Sequence, residues 1–142
     1  MTLEVEKTIH LDASPERVWR AITEADELTA WFPESIEWEA RQGGEGWLGW
    51  QSHGRFAARI EAFEPPRFLA WRWAREPDTS LDETDTTLVE WTLTPRDGGG
   101  TTLHLRESGF VAESYRDEND AGWDHELGEL VEHLGEPEAA IA

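Results

Sequence analysis

Cysteine is absent from all 142 residues, which removes disulfides, thiolate metal sites and a cysteine nucleophile together. Positive charge is scarce as well. Twelve Lys and Arg stand against 31 Asp and Glu, giving a formal net charge of −19, and Lys7 is the one lysine. A field of that sign repels a nucleic-acid duplex and an anionic bilayer, so neither nucleic acid nor membrane is an expected partner. Long apolar runs are missing too: none follows Met1, and no stretch approaches the roughly 18 apolar residues of a membrane span. With nothing addressing the chain elsewhere, the cytoplasm is the expected compartment. The length suits one domain with a proper core, expected over residues 1–136 with a short tail over 137–142.

What the chain has in excess is tryptophan, with nine residues. Each indole can bury on the order of 200 Å², and each needs an acceptor for its N–H when enclosed. Nine exceed what a compact core of this size needs. Some therefore line a cavity or sit half-exposed at its mouth, while ordinary packing accounts for about half of them.

The clearest periodicity lies near the C-terminus. Trp123, Leu127, Leu130, Val131 and Leu134 recur at i, i+4, i+7, i+8 and i+11, one apolar stripe of an amphipathic helix that ends at Pro137. Strands precede it. Thr2 to Leu11 alternates, with Leu3, Val5, Lys7, Ile9 and Leu11 on one face. Ser14-Pro15 opens a short helix with a capping hydroxyl and a proline at its first position. A second short helix spans Ala25 to Ala30 and breaks at Trp31-Phe32-Pro33. Alternating segments follow at Ser35–Ala40, Trp47–Trp50, Arg55–Phe63, Phe68–Ala74, Thr87–Thr94 and Thr101–Glu107, punctuated by glycine and proline turns. The glycines of 43–46 and 98–100 serve hairpins, since neither run precedes a helix that could cradle phosphate. A lone amphipathic helix after a run of strands must cover one face of their sheet. The expectation is an α+β helix-grip fold: a six- to seven-stranded antiparallel sheet wrapped around a long C-terminal helix, with two short helices after strand 1.

The strand running into Ser14-Pro15-Glu16-Arg17-Val18-Trp19, the Leu28–Pro33 segment and the Glu64–Trp73 segment occur in that order. The Thr94–Leu105 hairpin, Glu107-Ser108-Gly109-Phe110 and the Gly122-Trp123 helix follow. With these the chain resembles the START-like (SRPBCC) superfamily. Within it, the chain is similar to the family of the activator of the heat-shock-ninety chaperone ATPase and its bacterial single-domain relatives. The resemblance spans nearly the whole chain. It implies a cavity between sheet and helix; relatives include lipid carriers, hormone and polyketide binders, aromatases and cyclases, and co-chaperone domains.

The expected ligand site is that cavity. Trp71, Trp73 and Trp91 share strand faces directed inward; Trp31, Phe32, Trp38, Trp50, Phe56 and Trp123 can ring the space, with Leu105 and Leu127 below them. Such walls suit a small apolar or aromatic molecule. His53, next to Gly54 at a strand start, is a rim candidate. Glu107 shares its face with Leu103 and Leu105, and an inward carboxylate in apolar surroundings can act as acid, base or ligand anchor. Arg72 and Arg106 fall on the opposite face. His125, Glu129 and His133 form one helix ridge with no opposing ligand, so no metal site is expected, and no cofactor. No nucleophile elbow occurs. The leading expectation is therefore a non-catalytic small-molecule-binding protein. A cyclase- or hydratase-like enzyme using Glu107 and a co-chaperone or protein-interaction domain, with a homodimer as an open assembly, are the alternatives.

Overall fold

The computed structural model describes residues 3–135, in the order β1 (Glu4–Leu11), α1 (Pro15–Thr23), α2 (Ala25–Trp31), β2 (Ser35–Trp38), β3 (Glu45–Trp50), β4 (Gly54–Glu64), β5 (Phe68–Ala74), β6 (Thr86–Pro95), β7 (Thr101–Ser108) and α3 (Glu113–Gly135). The expected tail over 137–142, the expected stop at Pro137 and the first residue of the expected first strand, Thr2, lie outside the described residues. The seven strands form one open antiparallel sheet in the order β1-β7-β6-β5-β4-β3-β2, so the first strand closes beside the last. This is the helix-grip arrangement, α+β, with the two short helices after β1 and the long helix after the sheet. No helix of the described residues is long and apolar enough to cross a membrane.

Alternation decides which residues meet. Val5 faces Glu107 and Ile9 faces Leu103 across β1–β7, and Trp91 lies beside Leu105 across β6–β7. The odd-numbered residues Val89, Trp91, Leu93, Leu103, Leu105 and Glu107 all point into the core and are buried. Arg72 and Arg106 point outward, as their position in the alternation requires. Arg72 pairs with Glu61 at 3.0 Å, and Arg106 with Glu4 at 2.7 Å and Glu90 at 3.3 Å. His104 also faces outward, 2.9 Å from Glu6. The turn before β7 depends on glycine: Gly98 and Gly99 have φ of 92° and 97°, where a Cβ is strained.

α1 begins as its sequence prescribes, with Ser14 Oγ accepting from the Arg17 amide at 3.2 Å and Pro15 at the first helical position. It buries Val18, Ala21 and Ile22. α3 contacts β1 and both short helices. Two polar clasps assist. Lys7 reaches Asp120 at 2.6 Å and Asp124 at 2.9 Å on α3, while His133 sits 2.6 Å from Glu27, which also takes Arg17 at 3.1 Å. His133 is thus engaged with α2, and the expected exposed His125–Glu129–His133 ridge is not continuous.

Two further expectations for the last helix need correction. It starts at Glu113, well ahead of Gly122; its first turns carry mixed residues with no apolar period, so periodicity marks only the later part of the helix. Val131 is 47% exposed, unlike Trp123, Leu127 and Leu130, which are buried. At about 100° per residue, Val131 falls roughly 80° round from Trp123, off the seam formed by Trp123, Leu127, Leu130 and Leu134.

Candidate ligand cleft and its buried carboxylate

The space between the middle of α3 and the centre of the sheet is filled. Trp71 and Trp91 are fully enclosed there, with ring centroids 5.7 Å apart, and Trp31 meets Trp91 edge-on at 6.2 Å. The indole N–H groups of Trp71 and Trp91 have no hydrogen-bond partner among the described residues. Open space lies instead beside the first half of α3. A cleft of about 590 Å³ runs there between the helix and the ends of β3, β4 and β5. Phe32, Trp50, Phe56, Trp73, Phe110, Tyr115 and Trp123 bring aromatic rings to its wall. Phe32, at the end of α2, joins them: it lies 5.3 Å from Trp123, 5.4 Å from Trp50 and 6.0 Å from Trp73.

Behind this wall sits Glu107, 0% exposed. One oxygen accepts from Trp123 Nε1 at 2.8 Å and Asn119 Nδ2 at 3.1 Å; the other accepts from Trp73 Nε1 at 2.9 Å and Thr87 Oγ1 at 2.5 Å. All four donors are uncharged, and all four residues line the cleft. One carboxylate therefore fastens β5, β6 and α3 to β7 and fixes how two indoles face the open space. Its acceptor capacity is taken up by these bonds.

The charged groups of the cleft are unevenly matched. Arg75 lies over the Tyr115 ring at 4.4 Å and pairs with Asp85 at 3.4 Å and Glu76 at 3.7 Å. Glu118 and Glu126 also line the cleft, and neither side chain has a hydrogen bond or ion pair among the described residues. Burial against the cleft raises the Glu126 carboxyl from 4.5 to about 7, with His125 lowering it and Glu129 raising it further.

A sequence profile of the family described as Activator of Hsp90 ATPase homolog 1-like protein matches residues 12–135. The chain belongs to this family. Solved structures share its fold. A Mesorhizobium loti protein superposes with a TM-score of 0.81 at 22% identity, over 92% of this chain and 96% of that one. The Aha1 dimer from Colwellia psychrerythraea gives 0.79 at 18%, over 92% and 95%. CalU16 from Micromonospora echinospora gives 0.75 at 23%, over 95% and 85%. No curated protein matches the chain at a significant level.

Within this family member, the expected site residues divide sharply. Phe32, Trp50, His53, Phe56, Trp73 and Trp123 line the cleft. Trp31, Trp71, Trp91, Leu105 and Leu127 are packed in the core instead, because they lie at the centre of the sheet or on the helix seam. Trp38 packs against Trp71 at 5.5 Å and gives its N–H to Thr23 O at 3.1 Å; Trp31 gives its own to Ala21 O at 2.8 Å. Sequence reasoning missed Tyr115, Glu118, Asn119, Gly122 and Glu126. They recur with Trp123 at i, i+3, i+4, i+7, i+8 and i+11, a helical stripe hidden because it mixes polar, aromatic and glycine residues.

Glu126 supports a measurable expectation. Its carboxyl ionises near 4.5 when unfolded and about 7 when folded, so its ionisation costs stability as pH rises through that window, and the cost persists above it. Glu126→Gln should match wild type at pH 4 and be more stable at pH 8. Discounted for solvent screening at a half-buried site, the gain is about 1 kcal/mol, or roughly 3 °C in Tm. Thermal melts at the two pH values check this; an equal shift at both would show that ionisation is not the cause.

Proposed function

We propose that this chain is a small-molecule-binding protein whose cleft takes a flat apolar or aromatic ligand. The observation that carries the reading is the concentration of aromatic rings around about 590 Å³ of open space, a volume typical of ligand pockets. Glu107 favours binding over turnover. A general acid or base needs an oxygen within hydrogen-bond reach of its substrate, and here both oxygens are held by wall residues. The large apolar side chains exposed among the described residues are Val111 and Val131, too few for a flat protein-docking patch.

The test is titration with N-phenyl-1-naphthylamine, a neutral aromatic probe whose emission rises in apolar surroundings. Saturable one-to-one binding is expected. Trp50→Ala, which removes a wall ring, should weaken it about tenfold, the loss of one good aromatic contact. Absence of saturation, or binding indifferent to Trp50→Ala, would remove the cleft as the site.

A further inference from the structure

Resting on the reading of the cleft as a ligand site, we propose that its ligand is cationic: a flat or aromatic amine whose rings lie on the indoles and whose ammonium sits over Gly122, flanked by Glu118 and Glu126. Three observations converge on this. The first is charge. Among the described residues Arg75 is the one Lys or Arg on the wall, against three carboxylates, Asp85, Glu118 and Glu126. Arg75 is already committed to Asp85, Glu76 and the Tyr115 ring. An anionic ligand would therefore meet no free counter-charge, whereas a cation would meet two unpaired carboxylates.

The second is placement. Glu118, Gly122 and Glu126 are spaced i, i+4 and i+8 on α3, so the Cα of each glutamate lies about 6 Å along the helix axis from that of the glycine. A Cβ at Gly122 would meet nothing within 4 Å. That leaves a gap on the helix surface with a carboxylate one turn to either side.

The third is the wall itself. Trp50, Trp73 and Trp123 present π faces or edges to the same space, and an aromatic face attracts a cation, more strongly as water is excluded. Arg75 over Tyr115, one turn before Glu118 on α3, already makes this contact. Glu126 is ionised at pH 8 despite its burial, at an energetic cost that a bound ammonium would offset.

The experiment uses the full chain and three probes built on one ring: 1-naphthylmethylammonium, 1-naphthylmethanol and 1-naphthoate, titrated by calorimetry at pH 8 and low salt. The ammonium should bind at least tenfold tighter than the alcohol, and the naphthoate most weakly. In the Glu118→Gln/Glu126→Gln double variant the ammonium-to-alcohol ratio should fall to about one. Glu132→Gln, which removes one charge from the same helix away from the cleft, should keep the full ratio and so separates the local pair from the general acidic field. An alcohol binding as tightly as the ammonium, or a naphthoate binding tighter, overturns the inference while the cleft remains a ligand site. A preference that survives the double variant overturns it too. If neither these probes nor N-phenyl-1-naphthylamine binds, the cleft reading falls with it.

Discussion

Glu107→Gln should destabilise the protein by about 3 kcal/mol, the cost expected when buried donors lose their acceptor. The wild-type carboxylate offers acceptors on both oxygens, and each takes two of the four donors. A glutamine keeps one oxygen and turns an NH2 toward the other pair. Whichever way it sits, an N–H group then faces either Trp73 and Thr87 or Trp123 and Asn119. Glu107→Leu should cost more, since Thr87, Asn119 and Trp123 would lose this acceptor and Trp73 would keep only Thr87 Oγ1, at 2.9 Å. In a domain of this size the glutamine variant should melt roughly 10 °C lower. Urea unfolding followed by tryptophan emission measures the loss, with an unchanged m-value indicating that the denatured state is not the cause. A glutamine variant within about 0.5 kcal/mol of wild type, inside the range of ordinary surface substitutions, would mean that the carboxylate does not hold the wall together. The same variant separates two roles. A group that acts only by positioning should lower stability and loosen ligand binding together, because Trp73 and Trp123 would lose the bonds that orient them.

Glu107 also shows what a sequence can and cannot disclose. Its inward direction was readable from strand alternation with Leu103 and Leu105, and the outward direction of Arg72 and Arg106 came from the same rule. Its partners were not readable, because Trp73, Thr87, Asn119 and Trp123 come from β5, β6 and α3 and meet only once the sheet curves under the helix. The tryptophans illustrate a second limit. Trp71 and Trp73 share a face of β5, two residues and about 6.6 Å apart. Trp71 is sealed in the core while Trp73 borders open space. Period two assigns the face; it does not say how far along the strand the packed region ends. The overall architecture needed no such distance, since element types and their order alone require the helix to cover the sheet. Glu126 failed for another reason. A hydrophobic period finds the side of a helix that packs, and the side bordering a half-open cleft is neither uniformly apolar nor uniformly wet.

Gly122 offers the most direct test of whether that side was kept open for a ligand. A glycine in a helix interior costs about 1 kcal/mol relative to alanine, and α3 carries both Gly122 and Gly128. Neither has a positive φ, and a Cβ at either meets nothing within 4 Å. Backbone geometry therefore demands glycine at neither position. Gly128→Ala, outside the cleft, should stabilise the fold by about 0.5–1 kcal/mol and leave binding of the naphthylamine probe as in wild type. Gly122→Ala should stabilise by a similar amount. Gly122→Leu should also fold, because leucine is nearly as good a helix former as alanine and the space it enters is empty. Its isobutyl group would stand between Glu118 and Glu126 in the cleft, so probe affinity should fall at least tenfold, a loss of about 1.4 kcal/mol or more. That combination, greater stability with lost binding, is what a position held open for function produces. A leucine variant that is more stable and still binds the probe with wild-type affinity would place the ligand elsewhere and leave Gly122 as a helix defect with no purpose in the cleft.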